Sequence, residues 1–188
     1  DTMQHMVAGR KNAASQITKP YVILISSDGF RYDYAEKYNA QHLLKLRSSG
    51  VKAKSMIPSF PSVTYPNHYT VATGLYPSHH GLVYNQFYDR SRQSSYNISD
   101  RKTVEDGTWY GGTPIGVLAA QQAMLTASYF FVGDEAAIQQ TYATYRYHFN
   151  DTANVDFRIN KVVEWLKLPE DMRPHLICFY ISNVDHDG

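Results

Sequence analysis

The sequence predicts an α/β fold with a mostly parallel central sheet and helices on both faces. Three observations carry this. The runs Tyr21–Ser27 (YVILISS), Ala127–Val132 (ASYFFV) and His175–Ser182 are short and nearly continuously apolar, as strands buried on both faces of a parallel sheet must be. Stretches of helical period lie between them. Strands and helices therefore alternate, which implies right-handed crossovers between parallel strands.

Composition bounds the function. The 188 residues suffice for one domain with a real core. Hydrophobic content of 43% and charged content of 19% suit a globular protein. A net charge of +1 gives no bulk attraction to duplex nucleic acid or an anionic membrane. No apolar stretch is long enough to span a bilayer. The single cysteine, Cys178, lies in an apolar run and reads as a small buried hydrophobe. It cannot form an internal disulfide. Oligomeric state is not readable from the sequence.

Taken in order, Asp1 to Lys19 is polar and is expected to be loose, with at most a short helix. Tyr21–Ser27 is expected as a central strand. It ends in Asp28-Gly29-Phe30-Arg31, where open α/β sheets place their ligands. Asp28 is therefore a candidate site residue, although Asp-Gly is also a strong turn signal. Ala35, Tyr38, Leu43, Leu44 and Leu46 form a helical stripe over Tyr34–Arg47, closed by Gly50. Val51–Met56 is expected as the next strand.

It leads into Pro58-Ser59-Phe60-Pro61-Ser62-Val63-Thr64-Tyr65-Pro66-Asn67-His68-Tyr69. Pro66 suits a first helical turn, and the helix is expected to stop at Gly74. Thr64 then sits at a helix N-terminus, where free N–H groups and the macrodipole favour an anion. The plainer reading makes Thr64 an N-cap. His79 and His80 are adjacent, too few to form a ligand cluster, and are expected to be structural. Asn85 is read either as a turn residue or as a side-chain N–H donor.

Asp89–Asp106 is a polar surface excursion. Pro114 opens a helix expected to run through Met124, and the Tyr-rich stretch Ile138–Phe149 has no clear period. Asn154–Leu168 is an amphipathic helix with Val155, Ile159, Val162, Val163 and Leu166 on its apolar side. The last strand ends in Asn183-Val184-Asp185-His186-Asp187-Gly188.

Asp28, Thr64 and Asp185 thus end three expected strands and converge on one edge of the sheet. Two carboxylates and a hydroxyl there are a start to a dinuclear metal site. A dication lowers the hydroxyl pKa and holds it for attack, and a helix N-terminus stabilises phosphoryl oxygens.

At this point the residues carry a resemblance. Asp28-Gly29-Phe30-Arg31, Pro61 to Tyr69, Thr73-Gly74-Leu75-Tyr76-Pro77-Ser78-His79-His80-Gly81 and Asn85, in this order and spacing, resemble the nucleotide pyrophosphatase/phosphodiesterase family of the alkaline phosphatase superfamily. The likeness is dense from Tyr21 to Asp89 and resumes at Phe157-Arg158-Ile159 and at Asp185. It implies an alkaline phosphatase-like three-layer sandwich, with residues 1–188 the N-terminal portion of one catalytic domain and the remainder expected beyond 188. It implies two zinc ions, with Asp28 and Thr64 on one and Asp185 on the other, and further ligands expected downstream. Thr64 resembles the nucleophile that forms a phospho-threonine intermediate. Asn85 resembles the asparagine that holds a phosphate oxygen together with the Thr64 N–H. The pattern makes His186 a bystander.

The implied partner is a small-molecule nucleotide or phosphodiester, and the implied location is periplasmic or extracellular. A nucleotide base would stack on Tyr65, with Tyr147 or Phe149 as the second wall. Ordinary packing is the other reading of Tyr147. One departure is Phe131-Val132-Gly133-Asp134, where family members often carry Trp-Pro-Gly-Ser. The rival readings are a choline-phospholipid or other alkyl or aryl diesterase, and a catalytically silent binding module. The second predicts loss of Thr64 or Asp28, and both are present.

Overall fold

The computed structural model describes residues 3–187. Asp1 and Thr2, in the expected loose N-terminal segment, and Gly188, in the final acidic stretch, lie outside the described residues. The strands are β1 (His5–Met6), β2 (Val22–Ser27), β3 (Gln86–Asp89), β4 (Ser94–Asn97), β5 (Thr126–Tyr129), β6 (Tyr145–Tyr147) and β7 (Leu176–Ile181). The helices are α1 (Ala14–Ile17), α2 (Tyr34–Lys37), α3 (Gln41–Ser49), α4 (Thr64–Thr73), α5 (Pro77–His80), α6 (Arg101–Val104), α7 (Ile115–Gln121), α8 (Val155–Leu166) and α9 (Asn183–Asp187).

The main sheet has the order β1-β6-β5-β7-β2. β7 pairs in parallel with β2 and with β5, and β5 pairs in parallel with β6. Only β1, at one edge, is antiparallel. The side chains of β5, β6 and β7 alternate between two covered faces. Ala127, Tyr129, Tyr145, Tyr147 and Phe179 share the face on which α8 lays Trp165, whose ring lies 6.1 Å from those of Tyr129, Tyr145 and Tyr147. The opposite face carries Cys178 and Tyr180, and there His68 of α4 meets Tyr180. Helices therefore cover both faces, as expected. β3 and β4 form a separate hairpin, β3 just before the expected surface excursion and β4 within it.

Several elements differ from the sequence reading. The strands buried on both faces are β5, buried from Thr126 to Tyr129, and β7, buried from Leu176 to Tyr180, each flanked by neighbours. β2 instead lies at the other edge. Its Leu24 and Ser26 are partly buried, but Ile25, in register with Phe179, is 62% exposed because α8 does not reach over it. Val51–Met56 forms no strand and runs exposed toward Thr64. The expected helix over Tyr34–Arg47 breaks in two at Asn39, which adopts a left-handed φ of 50°. In α8 the buried residues are Arg158 and Trp165, while Ile159 and Val163 face solvent. The stripe is rotated because the Arg158 guanidinium is drawn inward, donating to the Tyr180 carbonyl and to Asn183 Oδ1, each at 3.4 Å. The final acidic stretch continues into α9, Asn183–Asp187.

Candidate active site

The loop before α4 is strapped to the helix that follows it. Asn67 Nδ2 donates to the carbonyls of Pro61 at 2.7 Å and Val63 at 3.1 Å, and its Oδ1 accepts from Ser59 Oγ at 3.1 Å. The Phe60–Pro61 peptide is cis. Val63 is extended, with φ −124° and ψ 161°, and occupies the cap position without a side-chain cap bond. Thr64 is the first helical residue and Pro66 the third. The N-cap reading of Thr64 is thereby corrected, because its hydroxyl is not used as a cap. Gly74 ends the helix in the left-handed conformation, with φ 70°.

The second N–H of α4, that of Tyr65, donates to Asn85 Oδ1 at 3.0 Å. Asn85 is itself fixed by the β3–β4 hairpin, since its carbonyl accepts from the Ile98 N–H at 3.1 Å. With Oδ1 committed to the helix, the remaining donor of the Asn85 amide is its NH2 group.

Asp28 ends β2 as expected. Its Oδ1 accepts from the Gly29 N–H at 3.1 Å and its Oδ2 from the Tyr180 hydroxyl at 2.8 Å. Burial, and then the bond to Asp28, push the Tyr180 phenol pKa up. Gly29 has φ 67°, and a Cβ placed there would stand 2.6 Å from the Asp185 Cα. Asp185 lies in the first turn of α9. The neighbouring His186 pairs with Asp151 at 3.2 Å, and Asp151 also accepts from Ser182 Oγ at 2.7 Å.

Two cavities meet at Thr64. One, of about 310 Å³, is lined by Tyr65, Ile98, Phe130, Val132, Phe149 and Tyr180. The other, of about 640 Å³, contains Asp28, Phe30, Arg31 and Asn67. Thr64, Asn85 and Asp185 border both. The structure thus brings Asp28, Thr64, Tyr65, Asn85 and Asp185 together. It does not bring Tyr147 there. Tyr147 is buried, stacked on Tyr129 with ring centres 4.4 Å apart. The core claims it because β6 still holds the sheet register at 147. Two residues later the chain has left the sheet, and Phe149 lines the same cavity as Tyr65. Its N–H is held by the buried Glu135 at 3.1 Å.

Three residues that line these cavities, Tyr180 in the smaller and His68 and Ser26 in the larger, carry no clear signal in the sequence. Tyr180 hid inside an apolar run. His68 sat in a quoted motif, one helical turn after Thr64, a spacing that places both on one face. Ser26 looked like the polar end of a strand. His80, as expected, is structural: it is buried and its Nε2 lies 3.0 Å from Thr70 Oγ1.

An oxygen-rich donor set of two carboxylates and a hydroxyl on one cavity fits hard or borderline dications. A different group, Glu105, Glu135 and His148, places its ligand atoms within 4.8 Å of one another. There the Arg101 guanidinium already pairs with both carboxylates. That cluster is an ion-pair network beside Phe149.

The sequence model described as type I phosphodiesterase / nucleotide pyrophosphatase matches residues 22–188. The chain belongs to this family. Venom phosphodiesterase 2 of Crotalus adamanteus is 37% identical over 169 residues, which is 89% of this chain and 21% of the venom protein. Human ectonucleotide pyrophosphatase/phosphodiesterase family member 1 is 33% identical over 171 residues, 90% of this chain and 18% of its own length. Among solved structures, murine ectonucleotide pyrophosphatase/phosphodiesterase 5 superposes with a TM-score of 0.83 at 27% identity, covering 89% of this chain and 44% of that one. An inactive variant of the murine protein in complex with AMP gives a TM-score of 0.84 at 26% identity, covering 90% and 45%. The chain therefore spans about a fifth of the length of these curated phosphodiesterase relatives. Among the described residues no helix is long and apolar enough to cross a membrane.

Proposed function

We propose that the full-length protein is a zinc-dependent phosphodiesterase that cleaves nucleotide phosphodiester and pyrophosphate bonds and releases a nucleoside 5′-monophosphate. The observation that carries this reading is the juxtaposition at Thr64. Its hydroxyl and N–H have no protein partner among the described residues, at a helix start beside the Asn85 amide and in one cavity with Asp28 and Asp185. Membership of the phosphodiesterase family supports it.

Two zinc ions, held in part by Asp28, Thr64 and Asp185, would supply Lewis-acid activation of the Thr64 hydroxyl and neutralise charge on phosphoryl oxygens. Thr64 Oγ1 attacks phosphorus in line and the alcohol or phosphate leaves, giving a phospho-threonine. Water then cleaves that ester and restores the hydroxyl. The Thr64 N–H and the Asn85 NH2 take the non-bridging oxygen whose charge grows in the transition state. Tyr65 and Phe149 hold the retained nucleoside base between aromatic walls. The venom and ectonucleotidase relatives support an extracellular location.

The test is Thr64→Ala in the full-length protein, assayed on a p-nitrophenyl nucleoside 5′-monophosphate ester with zinc supplied and then chelated. Turnover should vanish while the fold persists. Substantial residual diesterase activity would refute Thr64 as the nucleophile. Faster cleavage of p-nitrophenyl phosphorylcholine by the wild type would keep the chemistry and move the substrate to choline esters.

A further inference from the structure

We infer that His68 is a positioning residue for this reaction: it ties the first residue of the nucleophile helix to the strand that ends in Asp28. This role rests on the diesterase reading above. His68 is 7% exposed and stands one turn after Thr64 on α4. Its Nδ1 lies 2.8 Å from the Thr64 carbonyl oxygen, and its Nε2 lies 2.8 Å from Ser26 Oγ on β2. Asp28 follows Ser26 by two residues.

The partners fix the tautomer. A carbonyl oxygen only accepts, so Nδ1 must carry the hydrogen. In the neutral ring Nε2 is then an acceptor, and the Ser26 hydroxyl donates to it. The ring cannot rotate without breaking one bond or the other. Its orientation is also held by edge contacts to Phe131, with ring centres 5.7 Å apart, and to Tyr180, at 5.1 Å. Tyr180 is the strand partner of Ser26 and the hydrogen-bond donor to Asp28. Thr64, His68, Ser26, Tyr180 and Asp28 thus form one connected brace. The nucleophile and the carboxylate come from different elements, and among these contacts His68 is the side chain that touches both elements through polar atoms.

A core histidine that only filled space would affect stability when replaced and leave the chemistry of the folded enzyme intact. A brace predicts otherwise. In the full-length protein, His68→Ala should lower kcat on the nucleotide ester by about 100-fold, the usual cost of an ångström-scale misplacement, with KM little changed. His68→Asn, whose amide nitrogen can still donate to the Thr64 carbonyl, should recover part of that loss. Ser26→Ala should lower kcat by a smaller factor, and adding it to His68→Ala should cost nothing more, because both act through one bond.

Should His68→Ala not fold, Ser26→Ala and His68→Asn carry the test. Wild-type kcat in both, in samples whose melting matches the wild type, overturns the brace. A loss confined to KM also overturns it. A wild-type protein that cleaves no diester sinks the diesterase reading and this role together, whereas an active wild type with unaffected variants sinks this role alone.

Discussion

The Tyr180 hydroxyl donates to Asp28 Oδ2 across 2.8 Å, from the strand that runs parallel to Asp28's own. The bond holds one carboxylate oxygen in place and leaves the other turned to the loop, where it accepts from Gly29. Groups that orient a ligating carboxylate in this way tune metal affinity. Tyr180→Phe keeps the ring and removes the donor. Zinc affinity of the full-length protein should fall about 10- to 100-fold, read by competition with a chromogenic chelator. An unchanged affinity would show that Asp28 needs no such support.

Phe149 and Tyr147 should separate cleanly. Phe149→Ala removes a cavity wall, so KM for the nucleotide ester should rise by up to about tenfold, from the 0.5–1.5 kcal/mol that ring stacking contributes. Cleavage of bis-p-nitrophenyl phosphate should change less. Tyr147→Ala opens the core between Tyr129 and Trp165 and should cost about 3–5 kcal/mol of stability, measured by urea unfolding. Reversed phenotypes would return Tyr147 to the site.

This pair also shows where sequence reasoning stopped. Asp28, Thr64 and Asn85 were legible because each sits in a dense local motif whose backbone has one main option: a strand end, a helix start, a turn. Tyr147 and Phe149 lie in a Tyr-rich stretch without period, where only the point at which the chain leaves the sheet decides which ring faces the cavity. β2 was misplaced for a similar reason. An apolar run records how buried a strand wants to be, and the strand order that sets its neighbours is a long-range property. Arg158 misled in turn, since a charged residue inside an apolar stripe reads as the polar side until its partners, the Tyr180 carbonyl and Asn183, are known.

Glu135 ties the Arg101 ion pair to the backbone of Phe149. Glu135→Gln keeps an oxygen for the Phe149 N–H and loses the charge that holds Arg101. KM for the nucleotide ester should rise while zinc content stays at its wild-type value, read by atomic absorption. Loss of zinc on this change would instead make Glu105, Glu135 and His148 a metal site.

Asp134 gives a pH signature. Burial raises its pKa from 3.8 to about 7, against an opposing pull from the Ser128 hydroxyl. Unfolded, the same carboxyl releases its proton near the ordinary value. Between these two pH values the folded state holds the extra proton, so this contribution is fully present below about pH 4, fades as pH rises toward 7 and is flat beyond. Asp134→Asn should remove that slope. The variant's stability relative to wild type should improve by at most about 4 kcal/mol between pH 4 and pH 8, measured by urea midpoints. A pH-independent difference would mean that Asp134 is ionised throughout.

The missing side chain at Gly29 has a consequence for how such an enzyme can change. The turn after β2 rests main chain against main chain on the first turn of α9, with no room for even a methyl group. The approach of the Gly29 and Asp185 backbones is therefore set by main-chain contact between the end of β2 and α9, and not by any packed side chain. It works as a fixed gauge. The cavity walls can be rebuilt to admit a different base or headgroup without resetting how closely the main chains that carry Asp28 and Asp185 approach each other.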